Sequence, residues 1–173
     1  MDEFGSNLNL TPRYARAPRG VRAIGRVPRN TPANTTVIAS LSLEGMGPSM
    51  LLSGATDGLA FEAYVEQVLA PTLRPGQIVV MDNLSAHQST QVQASIAARD
   101  CELWFLPAYS PDLSPLEMAI AKIKEGLRRK GARDEQTLES AIMETLPTVS
   151  AADAQGFFTA CGYLPRHNQS HSL

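Results

Sequence analysis

The order of the predicted elements indicates an α/β protein with a mixed sheet. Three observations support this class. A β-branched run at residues 35–38 lies shortly before a glycine-rich turn, as in an antiparallel hairpin. Two short apolar runs, at residues 78–81 and 103–106, are typical of buried central strands. Apolar residues at helical spacing precede, separate and follow those runs.

The first predicted elements are a hairpin and a helix. Residues 34–43 predict a strand, Gly47–Pro48 a turn and Met50–Leu52 a short partner strand. Apolar residues from Leu59 to Leu69 recur at helical spacing, and Pro71 follows them. The chain is therefore expected to begin with an antiparallel segment that leads into a helix.

The middle of the chain alternates strands with helices. Residues 78–81 and 103–106 are the two apolar strands, and Ser89 to Ala98 predicts the helix between them. A loop with three prolines follows the second strand: Pro107, Pro111 and Pro115.

Three helices complete the predicted domain. The first carries an apolar stripe formed by Leu116, Ile120, Ile123 and Leu127. Residues 137–146 predict the second helix. Ser150 and Asp153 form a capping-box pair at the start of the third, which Gly162 ends. We assign residues 1–165 to one domain and expect residues 166–173 to be a disordered tail.

Composition excludes several classes of protein. The 173 residues are 43% hydrophobic and 18% charged, which excludes wholesale disorder. No apolar run approaches the ~18 residues of a membrane span, and the first residues lack the pattern of a signal peptide. Cys101 and Cys161 are too few for a disulfide framework, so we expect a reduced, cytoplasmic location.

The formal net charge of −2 conceals a strong asymmetry. Twelve of the 15 basic residues lie in two short blocks, residues 13–29 and 122–133. The first block contains six arginines and no acid. Clustered arginines are typical of phosphate-binding surfaces, although a single block is more often a solvated face.

The arginines of the first block are regularly spaced. Four of them recur at every third residue: Arg13, Arg16, Arg19 and Arg22. Prolines and glycines within the block argue against a helix. An extended or polyproline-like strand would place the four guanidinium groups on one edge. We expect a basic β-ribbon or arm that follows a nucleic-acid backbone.

Acidic residues near strand ends are candidate ligands for a cation. Asp82 directly follows the strand at 78–81, and open α/β sheets bind ligands at such strand ends. The Asp82–Asn83 pair is equally typical of a turn. Taken alone, the N-terminal Asp2 and Glu3 predict only a charged, frayed end. Two Mg²⁺ ions would need about three carboxylates from different elements.

Glu117 lies in the first turn of the helix that follows the proline loop. Ser114 at the N-cap and Glu117 three residues later predict a capping box, which needs no further function. Lys124 and Arg128 lie on the same predicted helix face as Glu117 and could contact DNA. The histidines and cysteines show no zinc-ligand spacing, so zinc is not expected.

Two segments resemble the second and third catalytic blocks of DDE transposases. They are Val80–His87, with the sequence VMDNLSAH, and residues 106–117, with the sequence LPAYSPDLSPLE. The opening Asp2–Glu3, followed by RAPRG at residues 16–20, resembles the block that carries the family's first aspartate. The chain is thus similar to bacterial insertion-sequence transposases of the mariner-like superfamily.

The resemblance extends from Asp2 to about Tyr163. Thirty-four residues separate Asp82 from Glu117, a separation typical of that superfamily. The resemblance implies an RNase H-like fold, with a mixed five-stranded sheet and helices on both faces. It also implies that Asp2, Asp82 and Glu117 are catalytic and bind two Mg²⁺ or Mn²⁺ ions.

The resemblance further implies an activity and its partners. The activity is metal-dependent cleavage at a transposon end, followed by transfer of the freed 3′ hydroxyl to target DNA. Asn83 and His87 would support the site near Asp82. The implied partner is double-stranded DNA, both the transposon ends and the target. A protein that binds this DNA is expected at the nucleoid. The residues implied to contact its phosphates are Arg13, Arg16, Arg19, Arg22, Lys124 and Arg128. Family analogy also suggests a homodimer.

The sequence departs from the family pattern in three respects. Relatives have an apolar strand before the first catalytic aspartate, whereas one residue precedes Asp2, so we expect a truncated first strand and a poorly held Asp2. The family's helix-turn-helix region has no counterpart in this sequence. We expect that region to be encoded by an upstream reading frame. Relatives have Asn and Trp where Ser114 and Ile120 stand. The alternative is a catalytically inactive remnant that at most binds DNA.

Overall fold

A computed structural model describes residues 1–29 and 34–163. The strands are β1 (Asp2–Ser6), β2 (Thr35–Ser42), β3 (Gly45–Ser53), β4 (Ile78–Met81) and β5 (Glu102–Phe105). The α-helices are α1 (Gly58–Tyr64), α2 (Thr90–Ala97), α3 (Pro115–Lys130), α4 (Glu135–Thr145) and α5 (Ala151–Ala160). None of the described helices is long and apolar enough to cross a membrane. The predicted tail at 166–173 lies outside the described residues.

The five strands form two sheets in the described part of the chain. β1, β2 and β3 are antiparallel in that order, whereas β4 and β5 pair in parallel. The single five-stranded sheet implied by the family resemblance is therefore not seen. β1 begins at Asp2, and the Met1 ammonium donates one hydrogen bond of 2.6 Å to the carbonyl oxygen of Val80 in β4. A single hydrogen bond does not form a β-ladder, so β1 and β4 are in contact at this point but belong to separate sheets.

Two apolar cores lie on opposite faces of β1 and β2. Phe4 and Val37 belong to the core that contains residues of α3 and α4. Ile38 belongs to the other core, together with Phe61 of α1 and Met81 of β4. Neighbouring residues of a strand point to opposite faces, which accounts for the division between Val37 and Ile38. Helices therefore pack on both faces, as expected.

The helix ends follow local chemistry. The Asp57 carboxylate accepts a hydrogen bond of 2.8 Å from the Ala60 N–H and caps α1, whose last turn continues as a π-helical segment, Val65–Leu69. The predicted capping box of Ser150 and Asp153 is confirmed at the start of α5. Gly162 follows that helix with φ of +87°, a left-handed conformation that suits glycine.

The predicted basic β-ribbon is not formed. Residues 11–29, which we call the basic arm, contain no strand or helix and are almost entirely exposed. The Val21 N–H donates to the Pro18 carbonyl oxygen at 3.0 Å, and Gly20 between them has φ of +84°. This turn interrupts the three-residue repeat of the arginines. Prolines in the arm also lack the N–H groups that a ladder needs.

Candidate active site

A cavity of about 870 Å³ lies where β1, β4 and α3 approach one another. Four acidic residues line it, and three of them belong to the elements just named: Asp2 at the start of β1, Asp82 directly after β4, and Glu117 in the first turn of α3. The fourth, Glu44, lies between β2 and β3 and is paired with Arg74. A cavity of this size is typical of ligand sites. The structure thus brings together the three acids that were singled out far apart in the sequence.

Asp2 is not left loose at the chain terminus. It pairs with Ala39 of β2, and its Oδ1 accepts a hydrogen bond of 2.7 Å from the Glu3 N–H. The preceding Met1 ammonium is fixed to β4 by its bond to Val80. The expectation of a poorly held Asp2 is therefore wrong, because backbone contacts on both sides hold this residue.

The charges of the other two acids affect the ionisation of Asp2. Burial, together with the negative charges of Asp82 and Glu117, raises the pKa of Asp2 to about 6, although the Glu3 N–H bond and the terminal ammonium act to lower it. Asp2 is thus close enough to both other carboxylates for their charges to disfavour its ionised form. A cation in the cavity would relieve this repulsion.

Asp82 is oriented by a buried histidine. The Asp82 Oδ1 is hydrogen-bonded to the Nδ1 of His87 and accepts a bond of 3.2 Å from the Leu84 N–H. The His87 Nε2 lies 3.1 Å from the Glu3 Oε2. His87 is fully buried, and its ring stacks on Phe61 with centroids 3.9 Å apart. We call this arrangement the Glu3–His87–Asp82 bridge.

The protonation of His87 follows from its partners. Burial lowers the pKa of His87, but hydrogen bonds and charges from Glu3 and Asp82 outweigh burial and raise it above the ordinary value. Ionised carboxylates only accept hydrogen bonds, so an imidazole that bridges two of them donates from both nitrogens. The bridge therefore favours the imidazolium form and joins β1 to the loop after β4.

Glu3 is the residue that sequence reasoning missed. His87 was expected to support the site, but its second partner was not foreseen. The alternation of side chains along a strand was the available signal, because it sends Asp2 and Glu3 to opposite faces of β1. Asn83, the other expected supporting residue, lines the cavity and accepts a hydrogen bond from the Gln88 side chain.

The predicted capping box at Glu117 is not formed. Ser114 is the N-cap residue of α3, but its side chain makes no capping hydrogen bond. Glu117 is exposed and lines the cavity. The capping explanation for this glutamate therefore fails, and its carboxylate remains available to a ligand in the cavity.

The expected DNA-contacting residues lie in different environments. Arg13, Arg16, Arg19 and Arg22 are exposed on the basic arm. The Lys124 Nζ stands 5.8 Å from the centroid of the Phe4 ring. The side chain of Arg128 is only 15% exposed and approaches Glu125 at 3.7 Å. Within the second basic block, Lys122 is paired with Asp153 at 2.6 Å.

The carboxylates fit a hard divalent cation by chemistry. Among residues 1–29 and 34–163, no group of three or more His, Cys, Asp or Glu side chains is tight enough to enclose a metal ion. Mg²⁺ does not need such a cage, because it commonly takes one or two protein carboxylates together with water and substrate phosphate. Three oxygen-donor side chains around one cavity are compatible with that mode.

One family model matches most of the chain. The profile of the DDE superfamily endonuclease family matches residues 1–139. A comparison with curated proteins gave no match.

Among solved structures, the chain is similar to Mos1 transposase. The paired-end complex with the left transposon end has a TM-score of 0.72 and 17% identity, over 92% of this chain and 50% of that one. The paired-end complex with Mn has a TM-score of 0.64 and 17% identity, over 92% and 51%. The catalytic domain of Mos1 mariner transposase has a TM-score of 0.60 and 18% identity, over 75% and 70%. The chain thus spans about half the length of the Mos1 chains in the two complexes. At these identities the likeness establishes the fold, that of the Mos1 catalytic domain.

Proposed function

This chain belongs to the DDE superfamily endonuclease family, and we propose that it is the catalytic part of a transposase. The proposed reaction is divalent-cation-dependent cleavage of DNA at the end of an insertion-sequence element, followed by strand transfer. One observation carries the proposal: Asp2, Asp82 and Glu117, from three separate elements, line one cavity.

We propose that these three carboxylates hold two Mg²⁺ or Mn²⁺ ions. Solved structures of Mos1 transposase with Mn and with Mg support the use of such ions in the family. The bound ions would supply positive charge that polarises the attacking oxygen and stabilises the leaving oxygen of the phosphodiester. Burial is the largest cause of the raised pKa of Asp2, and the negative charges of Asp82 and Glu117 add to it. That repulsion supports the same assignment, because a cation between the carboxylates would relieve it.

The chain's own residues orient the reacting groups. The hydrogen bonds that Asp82 makes with His87 and with the Leu84 N–H both involve its Oδ1. The Oδ2 of Asp82 takes no part in these bonds. In the cleavage step, the oxygen of water would form a bond to phosphorus as the bond from phosphorus to the 3′ oxygen breaks; the water gives up a proton and the departing 3′ oxygen takes one, which leaves a 5′ phosphate and a 3′ hydroxyl. In the transfer step, the freed 3′ hydroxyl would form a bond to the phosphorus of a target phosphodiester, the target's own bond from phosphorus to the 3′ oxygen would break, and that oxygen would leave with the proton of the attacking hydroxyl. A solved strand transfer complex of Mos1 supports the second step by analogy.

Duplex DNA is the proposed partner, bound through the basic arm, Lys124 and Arg128. Mos1 structures that contain transposon-end DNA support this assignment. We also propose a homodimer that pairs two transposon ends at the nucleoid, and a helix-turn-helix product of an upstream frame as a second partner. Both assignments rest on family analogy.

The test is a nicking assay on supercoiled DNA with Mg²⁺ or Mn²⁺. We expect Asp82→Asn and Glu117→Gln each to reduce nicking at least ~100-fold, a barrier increase of about 2.7 kcal/mol. Glu139→Gln, an exposed acid on α4, is the matched control and should leave the rate unchanged. Chelation of the cation should abolish nicking, and added Mg²⁺ should restore it.

Two outcomes would contradict the proposal. Nicking that survives both substitutions would reject the site. DNA binding without any cation-dependent nicking would identify a DNA-binding protein without nuclease activity. The absence of a tight carboxylate cluster among the described residues favours that alternative.

A further inference from the structure

The basic arm folds back on itself. The turn at Pro18–Val21 reverses its direction, and a methyl group placed on Gly25 would lie 4.0 Å from the Thr11 Oγ1. The two limbs therefore approach each other near the root. The arginines lie on both limbs and at the turn: Arg13, Arg16, Arg19, Arg22, Arg26 and Arg29. No acidic residue lies within the arm, so its charge is uniformly positive.

The arm has no core of its own to fix its direction. Tyr14 is 91% exposed and Ile24 is 86% exposed. The bond between Val21 and Pro18 is the only backbone hydrogen bond between described residues of the arm. The direction of such a segment must be set where it joins the body of the protein.

Arg133 lies at that junction. It belongs to the connection between α3 and α4, and its Nη1 donates to the carbonyl oxygens of Leu8 and Leu10, each at 3.0 Å. The two N–H groups of Nη1 are shared with a third acceptor, the Ala132 carbonyl oxygen, at 2.8 Å. Leu8 is buried in the core formed with α3 and α4, and Leu10 packs against that core. The last residues before the arm are thus held by apolar packing on one side and by a guanidinium group on the other.

The local backbone allows Arg133 to reach these carbonyls. Gly131 ends α3 in a left-handed conformation, with φ of +61°. A methyl group on Gly131 would lie 3.7 Å from the Arg133 Nη2, so the guanidinium group folds back over this glycine. By contrast, the Arg129 side chain is 74% exposed, and its one ion pair among the described residues is with Glu125 at 3.6 Å.

We infer that Arg133 is a positioning residue that fixes the root of the basic arm, so that arginines of both limbs bind one DNA duplex. This inference rests on the proposed DNA-binding function. Although Arg133 belongs to the second basic block, its Nη1 donates hydrogen bonds to main-chain carbonyl oxygens. Its loss should therefore weaken the contacts made by the whole arm.

The first experiment measures the salt dependence of DNA affinity. Binding of the full chain to a fluorescent duplex of about 30 base pairs is followed by anisotropy from about 50 to 200 mM NaCl. Each lost phosphate contact reduces the slope of log K against log salt by about 0.9. Combined substitution of Arg13, Arg16, Arg19 and Arg22 by Gln should reduce it by about 3 to 4. Arg133→Gln should reduce it by about 2 or more, and the control Arg129→Gln by about 1 or less.

Two further variants separate positioning from direct contact. Arg133→Lys keeps the charge, but its ammonium group ends a side chain one bond shorter than the path to Nη1. It should therefore fall short of the Leu8 and Leu10 carbonyl oxygens and lose affinity as Arg133→Gln does. Added to the four-arginine variant, Arg133→Gln should cause little further loss, because the two changes act on the same contacts. A slope reduction of about 1 in Arg133→Gln, with full rescue by lysine, would show an ordinary phosphate contact and overturn the inference.

The second experiment needs no DNA. Nitroxide labels are attached through Arg19→Cys and Glu139→Cys in a Cys161→Ser background, with the buried Cys101 left in place. Pulsed electron paramagnetic resonance then measures the distance from the arm to α4. Arg133→Gln should broaden the distance distribution, and Arg129→Gln should not. An unchanged distribution would overturn the inference. Absence of DNA binding in the unsubstituted chain would instead reject the proposed function, while this measurement still tests Arg133.

Discussion

The Glu3–His87–Asp82 bridge is expected to be a principal link between the two sheets. His87→Leu removes both of its polar contacts and leaves two carboxylates without their shared partner. His87 is fully buried, whereas the side chains of Asp82 and Glu3 are 34% and 25% exposed. The cost of the substitution therefore depends on how well water can replace the imidazole at each carboxylate.

The magnitude follows from these exposures. A hydrogen bond to a charged group contributes about 1.5–3 kcal/mol. Because water can reach both carboxylates in part, we take about 1.5 kcal/mol for each bond, or about 3 kcal/mol for His87→Leu. For a chain of this size, that loss corresponds to a decrease in Tm of about 6–12 °C. Leucine retains apolar contact with Phe61, so we add no further packing loss.

Urea unfolding followed by circular dichroism measures the change. An asparagine amide stands near the position of Nδ1 and a glutamine amide near that of Nε2, so His87→Asn and His87→Gln should each cost about half as much. Gln91→Leu, at an exposed position of α2, is the control and should cost less than about 0.5 kcal/mol. A loss below about 1 kcal/mol for His87→Leu would refute the reasoning.

Three other predictions test the packing and the caps. Ser150→Ala should cost about 1 kcal/mol in urea unfolding because its cap is formed, whereas Ser114→Ala should cost less than about 0.5 kcal/mol because its cap is absent. Gly126→Ala should lower Tm: its methyl would lie 2.6 Å from the Thr145 Cγ2, and overpacking of about 1–3 kcal/mol exceeds the gain in helix propensity. The Lys122 ammonium and the Ser150 hydroxyl and N–H hold the pKa of Asp153 at about 2, below its value in the unfolded chain. The resulting stabilisation is present above pH ~4 and is lost as pH falls toward ~2, so Asp153→Asn should lower Tm at pH 7 and have little effect at pH 2.

The fold was largely predictable where local patterns decide it. The apolar run at 78–81 coincides with β4, and the run at 103–106 lies one residue beyond β5, Glu102–Phe105. The end of β5 is set by its pairing with β4, where Phe105 opposes Met81, and composition alone does not contain that register. The division into two sheets was not predictable either. It depends on the limited backbone hydrogen bonding between the start of β1 and β4, where Met1 donates to the Val80 carbonyl oxygen.

The candidate site was predictable residue by residue but not in its connections. Position after a strand singled out Asp82, and the helix start singled out Glu117, each with an equally good structural explanation. The structure removes the explanation for Glu117, since the Ser114 side chain makes no cap. For Asp82 it shows both roles, because the carboxylate accepts the Leu84 N–H of a turn and also lines the cavity. Such overlaps depend on side-chain directions that no sequence pattern specifies.

The adjacent acids of β1 join the cavity to the buried bridge. Asp2 lines the cavity with Glu117, whereas Glu3 binds His87 on the opposite face, beside Phe61. Asp82 belongs to both arrangements. A shift of β1 by one residue would exchange the two acids between the faces and break both arrangements at once. The register is held by Phe4, which opposes Val37 and is buried in the core. Core packing at one aromatic residue therefore determines where both acids point, so stability and the candidate chemistry depend on the same contact.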